Sequence, residues 1–196
     1  MFELICKNIG GKICYEKKNQ QIKIVKWIAV SNKDVKICLN ILSKYPLLTS
    51  RKICQLEHFK KCININDWNY HLKTRDNKYD LQINYINNYN DKFNLPIYFN
   101  CWLSGFIEAE GCFRFRNNKP SSFYICQNND KYILNAIKIY FNSNHKIGIH
   151  KDLRYSTTHY RISFSGKPFI NTIIKHLSNY PLLGNKNFDF NIWKNI

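Results

Sequence analysis

The stretch Leu103–Gly111, which reads LSGFIEAEG, combines small residues with two carboxylates at the end of an apolar run. The apolar residues extend from Tyr98 to Ala109 and follow Pro96 closely, a pattern typical of a short helix. We expect about three helical turns, with Asn100 as the N-cap and Gly111 ending the helix. The stretch occurs once in the chain.

Two carboxylates lie near the end of this predicted helix. Glu110 faces the negative end of the helix dipole, which costs roughly 0.3–1 kcal/mol, so we expect a positive group nearby. Glu108 is about 200° away around the helix, so the two acids cannot serve one centre. Gly105 and Ala109 leave a face with almost no side chains, which permits a second helix to approach closely. On these residues alone, a frayed helix end with two solvated acids remains an alternative.

The stretch LSGFIEAEG resembles the signature of LAGLIDADG homing endonucleases. Five positions match the signature outright: Leu103, Gly105, Ile107, Ala109 and Gly111. Glu replaces Asp at both acidic positions, which preserves the charge. The resemblance implies that Glu110 is a ligand of a divalent cation, Mg²⁺ or another, whereas Glu108 supports the helix end. It also implies an α+β fold of αββαββα half-domains whose four-stranded saddle sheet binds DNA, and metal-dependent hydrolysis of phosphodiesters.

The residues after the signature predict a strand with two different faces. Between Cys112 and Arg116 aromatic and basic residues alternate, so Phe113 and Phe115 should face the core. Arg114 and Arg116 should then lie on the opposite face, where they can meet phosphates or bases.

Charge indicates a polyanionic partner. The chain has 30 Lys and Arg residues against 13 Asp and Glu, a formal net charge of +17 over 196 residues. Basic residues are interleaved with aromatics along strand-like segments, which favours a nucleic-acid surface over a membrane face. The resemblance implies double-stranded DNA as this partner, with intron RNA as the alternative. No stretch approaches the ~20 apolar residues of a membrane-spanning helix. Asn, Ile, Lys, Tyr and Phe dominate the composition, as AT-rich codons would specify, so we expect an organelle gene and a mitochondrial location, with a plastid as the alternative.

The eight cysteines show no Cys-x-x-Cys pair and no zinc-finger spacing. They are interpreted as small buried residues in a reducing compartment, without a structural zinc. The six histidines are scattered. Most are interpreted as solvated, with His150 and His159 as candidates for DNA contacts.

An internal repeat organises the chain. Leu42–Leu48 reads LSKYPLL and Leu177–Leu183 reads LSNYPLL, an offset of 135 residues. Each copy is preceded by a strand-like run and a helical stretch. We therefore divide the chain into the C-terminal part of a first repeat (1–62), a linker (63–97) and a complete second repeat (98–196). An extra helix within part of the linker is the alternative. At the same offset, the partner of LSGFIEAEG would precede Met1, so the first repeat is expected to be truncated.

The resemblance assigns further site residues individually. Gln127, in the strand FYICQ, would order water or phosphate, with Lys131 as a weaker candidate. Lys186 falls where the family places a basic residue near the scissile phosphates, and Arg51 with Lys52 holds the same place in the first repeat. The full set of expected DNA-binding residues is Arg114, Arg116, Lys131, Lys52, Arg154 and Arg161.

Three functions stay open at this point. The first is a site-specific, intron-encoded DNA endonuclease. The second is a maturase that binds its intron RNA and assists splicing. The third is an inactive remnant. Because only one motif helix is present, a complete active site would need the missing first-repeat helix or a second copy of the chain.

Overall fold

The computed structural model describes residues 1–116, 119–151 and 158–194, and Arg154 therefore lies outside the described residues. The chain divides into two compact units, Met1–Leu47 and Leu48–Ile196. Within the described residues, no helix is both long enough and apolar enough to cross a membrane.

The first unit contains two helices and a hairpin. Helix α1 (Phe2–Ile9) precedes strands β1 (Lys12–Lys18) and β2 (Gln21–Ile28), and helix α2 (Asn32–Lys44) follows. The strands are antiparallel and joined at Asn19 and Gln20, both with positive φ, as a two-residue turn between twisted strands requires. Every residue of this unit is described and none is buried.

Four helical segments begin the second unit. They are α3 (Ser50–Ile65), α4 (Trp68–Thr74), a 3₁₀ helix (Arg75–Tyr79) and α5 (Gln82–Lys92). Helix α3 lies in the second compact unit, and the repeat boundary at residue 62 stays a prediction. The segment 63–97, interpreted as a linker, is largely helical, because its aromatic residues pack. The rings of Tyr89 and Phe93 lie 5.1 and 5.4 Å from the Tyr132 ring.

The rest of the second unit is the predicted αββαββα arrangement, which confirms the α+β class. Its elements are α6 (Phe99–Glu110), β3 (Gly111–Arg116), β4 (Lys119–Asn128), α7 (Lys131–Tyr140), β5 (Ile147–Lys151), β6 (Thr158–Ser165), α8 (Lys167–Asn179) and α9 (Lys186–Lys194). The four strands form one antiparallel sheet in the order β3-β4-β6-β5. Helices α6, α7, α8 and α9 all contact this sheet.

The two faces of the sheet differ in burial. The helix-covered face contributes buried apolar side chains to the core: Phe113, Phe123, Ile125, Ile162 and Phe164. Phe113 is 8% exposed, as predicted, but Phe115 is 43% exposed, so its placement in the core is wrong. The register with β4 shifts between Arg114 and Phe115, which breaks the alternation before Phe115.

The two Tyr-Pro turns have the same local structure. Helices α2 and α8 each have 13 residues, and their bounds coincide at the offset of 135 residues. Tyr45 and Tyr180 end them with φ/ψ of −126°/77° and −129°/78°. A residue before proline is disfavoured in the helical region, which explains why both helices stop there. The repeat in the sequence is therefore also a repeat in backbone conformation.

Candidate functional site

The motif helix α6 ends at Glu110, as the sequence predicts, but begins differently. Its N-cap is Tyr98 and not Asn100, whose amide instead donates to the Tyr180 hydroxyl at 2.8 Å. Gly111 leaves the helix in extended conformation. A Cβ atom there would lie 2.8 Å from the Ile107 carbonyl oxygen and 3.0 Å from the Phe123 ring. Close approach of α6 to the sheet therefore requires glycine at this position.

Glu108 and Lys186 form a reciprocal connection between α6 and α9. The Glu108 carboxylate accepts backbone N–H groups of Gly184 and Lys186, both at 3.1 Å. The Lys186 ammonium donates to the carbonyl oxygens of Ile107 (3.2 Å), Ala109 (3.4 Å) and Gly111 (2.7 Å). A carboxylate thus meets the positive end of α9, and a cation meets the negative end of α6.

Lys186 is the positive group that the sequence leads us to expect beside Glu110. It lies at the same helix end as that carboxylate, because its acceptor Gly111 directly follows Glu110. Glu108 caps the start of α9 and so connects it to the end of α6.

Glu110 is exposed and directly precedes β3, an edge strand of the sheet. Burial raises the pKa of the Cys126 thiol, and the negative charge of Glu110 adds to the effect, whereas Arg161 opposes it. Glu110, Cys126 and Arg161 therefore share one electrostatic neighbourhood. The carboxylate is an oxygen donor of the kind that Mg²⁺ prefers, and such ions commonly bind through one or two carboxylates plus substrate phosphates and water. Glu110 fits one ligand position of such a shared site.

Two arginines on the open face of the sheet, opposite the helix-covered face, surround one tyrosine. The guanidinium carbons of Arg161 and Arg114 lie 3.9 and 4.9 Å from the centre of the Tyr124 ring. Tyr124 pairs with Ser163 across β4 and β6, so the group occupies the middle of the sheet. We call Arg114, Tyr124 and Arg161 the arginine platform. It presents two fixed cations and an aromatic surface, which are the groups that contact phosphates and stack on bases.

The remaining predicted residues are dispersed. Gln127 pairs with Tyr160 on the helix-covered face, and its amide lies 3.4 Å from an Asp130 carboxylate oxygen. Its neighbour Cys126 is the residue that shares an electrostatic neighbourhood with Glu110. On α3, the guanidinium carbon of Arg51 lies 4.5 Å from the centre of the Tyr79 ring. Lys131 and Lys52 are exposed at the starts of α7 and α3, and only the backbone of Arg116 is described.

Sequence reasoning missed the polar network that fixes α6 to α8. The Ser104 hydroxyl donates to the Tyr180 carbonyl at 2.7 Å and lies 3.2 Å from Nε2 of buried His176. The Ser104 hydroxyl has one hydrogen, which it donates to Tyr180, so it accepts from the Nε2–H of His176. Nδ1 of His176 is then the unprotonated nitrogen and accepts from the Tyr140 hydroxyl at 3.0 Å. Burial lowers the pKa of His176 to about 4, so the ring is neutral at pH 7.

A second carboxylate, the buried Asp130, holds the helix that follows the first Tyr-Pro turn. Asp130 accepts the Ser50 backbone N–H at 2.8 Å and also its hydroxyl. Tyr132 donates to the Leu48 carbonyl at 2.8 Å. Asp130 thus caps α3 as Glu108 caps α9. In both repeats the helix after the turn begins on a carboxylate, although only Glu108 lies in the quoted motif.

The small-residue face of α6 is open. Gly105 and Ala109 are exposed, as is Cys101 one turn earlier. A Cβ atom built on Gly105 would meet no heavy atom within 4 Å. The face therefore has room for close approach of another helix.

Comparison with known proteins identifies the family. The family model described as LAGLIDADG endonuclease matches residues 1–63 and 103–196. A relative from Dictyostelium citrinum named "Probable intron-encoded endonuclease aI3" is 38% identical over 197 residues, covering 100% of this chain and 77% of the relative. The chain belongs to the LAGLIDADG endonuclease family.

A relative of the same name from Debaryomyces hansenii is 37% identical over 220 residues. The match covers 95% of this chain but 30% of that relative, so the chain spans less than a third of its length.

Solved structures show the same fold. I-CpaMI bound to uncleaved DNA is 20% identical with a TM-score of 0.67, covering 96% of this chain and 72% of that one. I-SmaMI bound to an uncleaved DNA target in the presence of calcium ions is 22% identical with a TM-score of 0.61, with the same coverage.

Proposed function

We propose that this chain acts in site-specific, metal-dependent cleavage of double-stranded DNA. The observation that carries the proposal is the position of Glu110. Its exposed carboxylate stands at the end of the motif helix, next to Lys186 and directly before an edge strand of the basic sheet. This position supports a role for Glu110 as a metal-binding acid within reach of a phosphodiester that lies on the sheet.

Each residue at this helix end has a separate role in the proposal. Glu110 binds a divalent cation such as Mg²⁺, which when bound activates water and stabilises the leaving oxygen. Lys186 holds the carbonyl groups of the helix end, which fixes the direction of the Glu110 side chain. Its positive charge also lies close enough to favour a phosphate beside Glu110. Glu108 keeps α9, and therefore Lys186, in place.

The arginine platform supplies the DNA-binding surface. Guanidinium groups already ordered on an aromatic ring lose little side-chain entropy when they contact phosphate or guanine. Arg116, Arg154, Lys131, Lys52 and Arg51 extend the surface as further predictions. A role for Gln127 in the site stays a prediction as well. Its contact with Asp130 would hold β4 in place beside Cys126.

Cleavage of both DNA strands needs a second motif helix. The present sequence supplies one acid, whereas each strand requires its own metal-binding carboxylate. The open face at Gly105 and Ala109 is the surface on which the second helix docks. A further segment of polypeptide or a second copy of the chain would complete the site.

The relatives named above favour the endonuclease over the RNA maturase, because both are named endonucleases. They are also named as intron-encoded, which supports an intron-encoded origin for this chain. An organelle gene and action in the mitochondrion stay predictions from the composition.

A selection experiment tests the proposal. The purified chain, with Mg²⁺ present, would be incubated with a partially randomised duplex library, and the cut ends would be sequenced. At protein concentrations that allow a second copy to complete the site, we expect one recurring site cut at a fixed position, abolished by EDTA. Cuts without a recurring site would contradict site specificity, and the absence of cuts at any protein concentration would contradict the activity. Specific retention of structured intron RNA without DNA cutting would instead support the maturase.

A further inference from the structure

Three metal-binding side chains converge in a part of the molecule remote in sequence from the motif. His58 and Cys62 are four residues apart and therefore lie on one face of α3. The chain reverses at Asn66, which has the left-handed φ of 53°, and α4 brings His71 back against them. Nε2 of His58 lies 3.2 Å from Nδ1 of His71, and the Cys62 sulfur lies 3.4 Å and 3.9 Å from these nitrogens.

Hydrogen bonds cannot satisfy all three contacts at once. An imidazole nitrogen is either a donor or an acceptor, and a thiol has one hydrogen. Three mutually adjacent atoms of this kind can therefore make at most two hydrogen bonds among themselves. A single cation would satisfy all three, because each atom would direct one lone pair at it.

The spacing of the three atoms is that of a tetrahedral metal centre. With Zn–N bonds of about 2.05 Å and a Zn–S bond of about 2.3 Å, tetrahedral angles give N···N and N···S separations of about 3.3 and 3.6 Å. The separation of 3.2 Å between the nitrogens and those of 3.4 and 3.9 Å to the sulfur lie within 0.3 Å of these values. Among the residues that the structure describes, no other three His, Cys, Asp or Glu side chains converge in this way.

We propose that His58, Cys62 and His71 form a binding site for a thiophilic transition metal, with Zn²⁺ as the natural occupant. Thiolate and imidazole ligands suit Zn²⁺ and are poor ligands for Mg²⁺, so this centre is chemically distinct from the carboxylate at Glu110. The side chains are half-buried beside a cleft that also contacts Asn66 and Asp67, so water can occupy the fourth position. The bound ion joins α4 to α3 and fixes the start of the segment that connects the two repeats.

Metal binding by variants of the full chain tests the site. Metal-free protein would be titrated with Co²⁺, whose visible absorption reports tetrahedral thiolate ligation, and with Zn²⁺ in competition. We expect one equivalent to bind to wild type and to the control Cys101→Ser, an exposed cysteine outside the cluster. Cys62→Ser and His71→Gln should each weaken binding by at least about 10-fold, since loss of even an outer-shell partner costs 10–100-fold.

A second measurement needs no substitution in the cluster. Zn²⁺ should protect Cys62 of wild type from alkylation, as read by peptide mass spectrometry, while Cys101 in the same molecules reacts at an unchanged rate. Equal reactivity of Cys62 with and without Zn²⁺ would overturn the proposal, as would unchanged affinity in both cluster variants. Neither readout involves DNA, so failure of this site and failure of the proposed nuclease activity are separate results.

Discussion

The connection between Glu108 and Gly184 gives a prediction whose size follows from the structure. Gly184 has no left-handed φ, so alanine is allowed by the backbone there. A Cβ atom on this residue, however, would lie 2.7 Å from the Glu108 Cδ and closer still to Oε1. The carboxylate ends a flexible side chain, so it would swing away and lose its hydrogen bonds to the N–H groups of Gly184 and Lys186.

The expected cost is that of two hydrogen bonds to a charged group. Each contributes about 1.5–3 kcal/mol, and we take the lower limit because Glu108 is half-buried. Glu108→Ala should therefore lower the free energy of unfolding by about 3 kcal/mol, and Gly184→Ala should cost about 2–3 kcal/mol. In the double variant the clash no longer exists, so its cost should equal that of Glu108→Ala alone. The two substitutions should thus be non-additive by about 2–3 kcal/mol, the full cost of Gly184→Ala alone.

Urea unfolding followed by far-UV circular dichroism at pH 7 measures all four proteins of the cycle. Gly148→Ala serves as the control, because a Cβ atom there would meet the Arg161 carbonyl at an ordinary 3.7 Å. Its effect should be small and independent of Glu108. Additivity of Glu108→Ala and Gly184→Ala within about 0.5 kcal/mol would refute the capping role of Glu108.

Three further outcomes follow from single contacts. The folded-state pKa of His176, about 4, lies below the ordinary 6.5, so the unfolded chain binds more protons as pH falls from 6.5 to 4. The free energy of unfolding should decline over this window by up to about 3 kcal/mol and be level above it. Urea unfolding at a series of pH values measures this dependence. If the same decline persisted in His176→Gln, His176 would not be its cause. Arg161→Gln should weaken DNA binding in fluorescence anisotropy by about 1–3 kcal/mol, whereas Lys175→Gln, on the exposed side of α8, should not; equal losses would argue against the arginine platform. Trp193→Phe removes the indole donor that lies 3.0 Å from the Arg114 carbonyl and should cost about 1–3 kcal/mol in thermal unfolding, with an unchanged midpoint contradicting this contact.

Much of the fold could be predicted because local patterns and tertiary packing agree. The motif helix, the succession of helices and strands in the second repeat and both Tyr-Pro turns depend on short-range signals such as small residues, alternation and proline. The dipole argument at Glu110 even predicted a nearby cation, which is Lys186. That Lys186 is this cation, and that it caps the motif helix, required the structure, because 76 residues separate Glu110 and Lys186 in the chain.

The features that local patterns do not reveal share one physical cause, which is contact between residues far apart in the sequence. Phe115 alternates correctly with Phe113, but the register shift in the pairing with β4 removes it from the core. The cysteine spacing shows no zinc motif, and the contact of His71 with Cys62 depends on the chain reversal at Asn66. The polar stretch 63–97 has weak periodicity, and its helices depend on packing of Tyr89 and Phe93 against Tyr132.

The rate of DNA cleavage by Glu110→Gln tests the central claim most directly, measured on either strand of a selected target with saturating Mg²⁺. The substitution preserves shape and removes the charge that would bind the metal, while Lys186 and the arginine platform remain in place. Loss of a metal ligand worth several kcal/mol predicts a fall of at least about 100-fold in rate with DNA affinity retained. Glu3→Gln, an exposed acid in α1, should cleave like wild type. Undiminished cleavage by Glu110→Gln would contradict the assignment of this carboxylate to the metal.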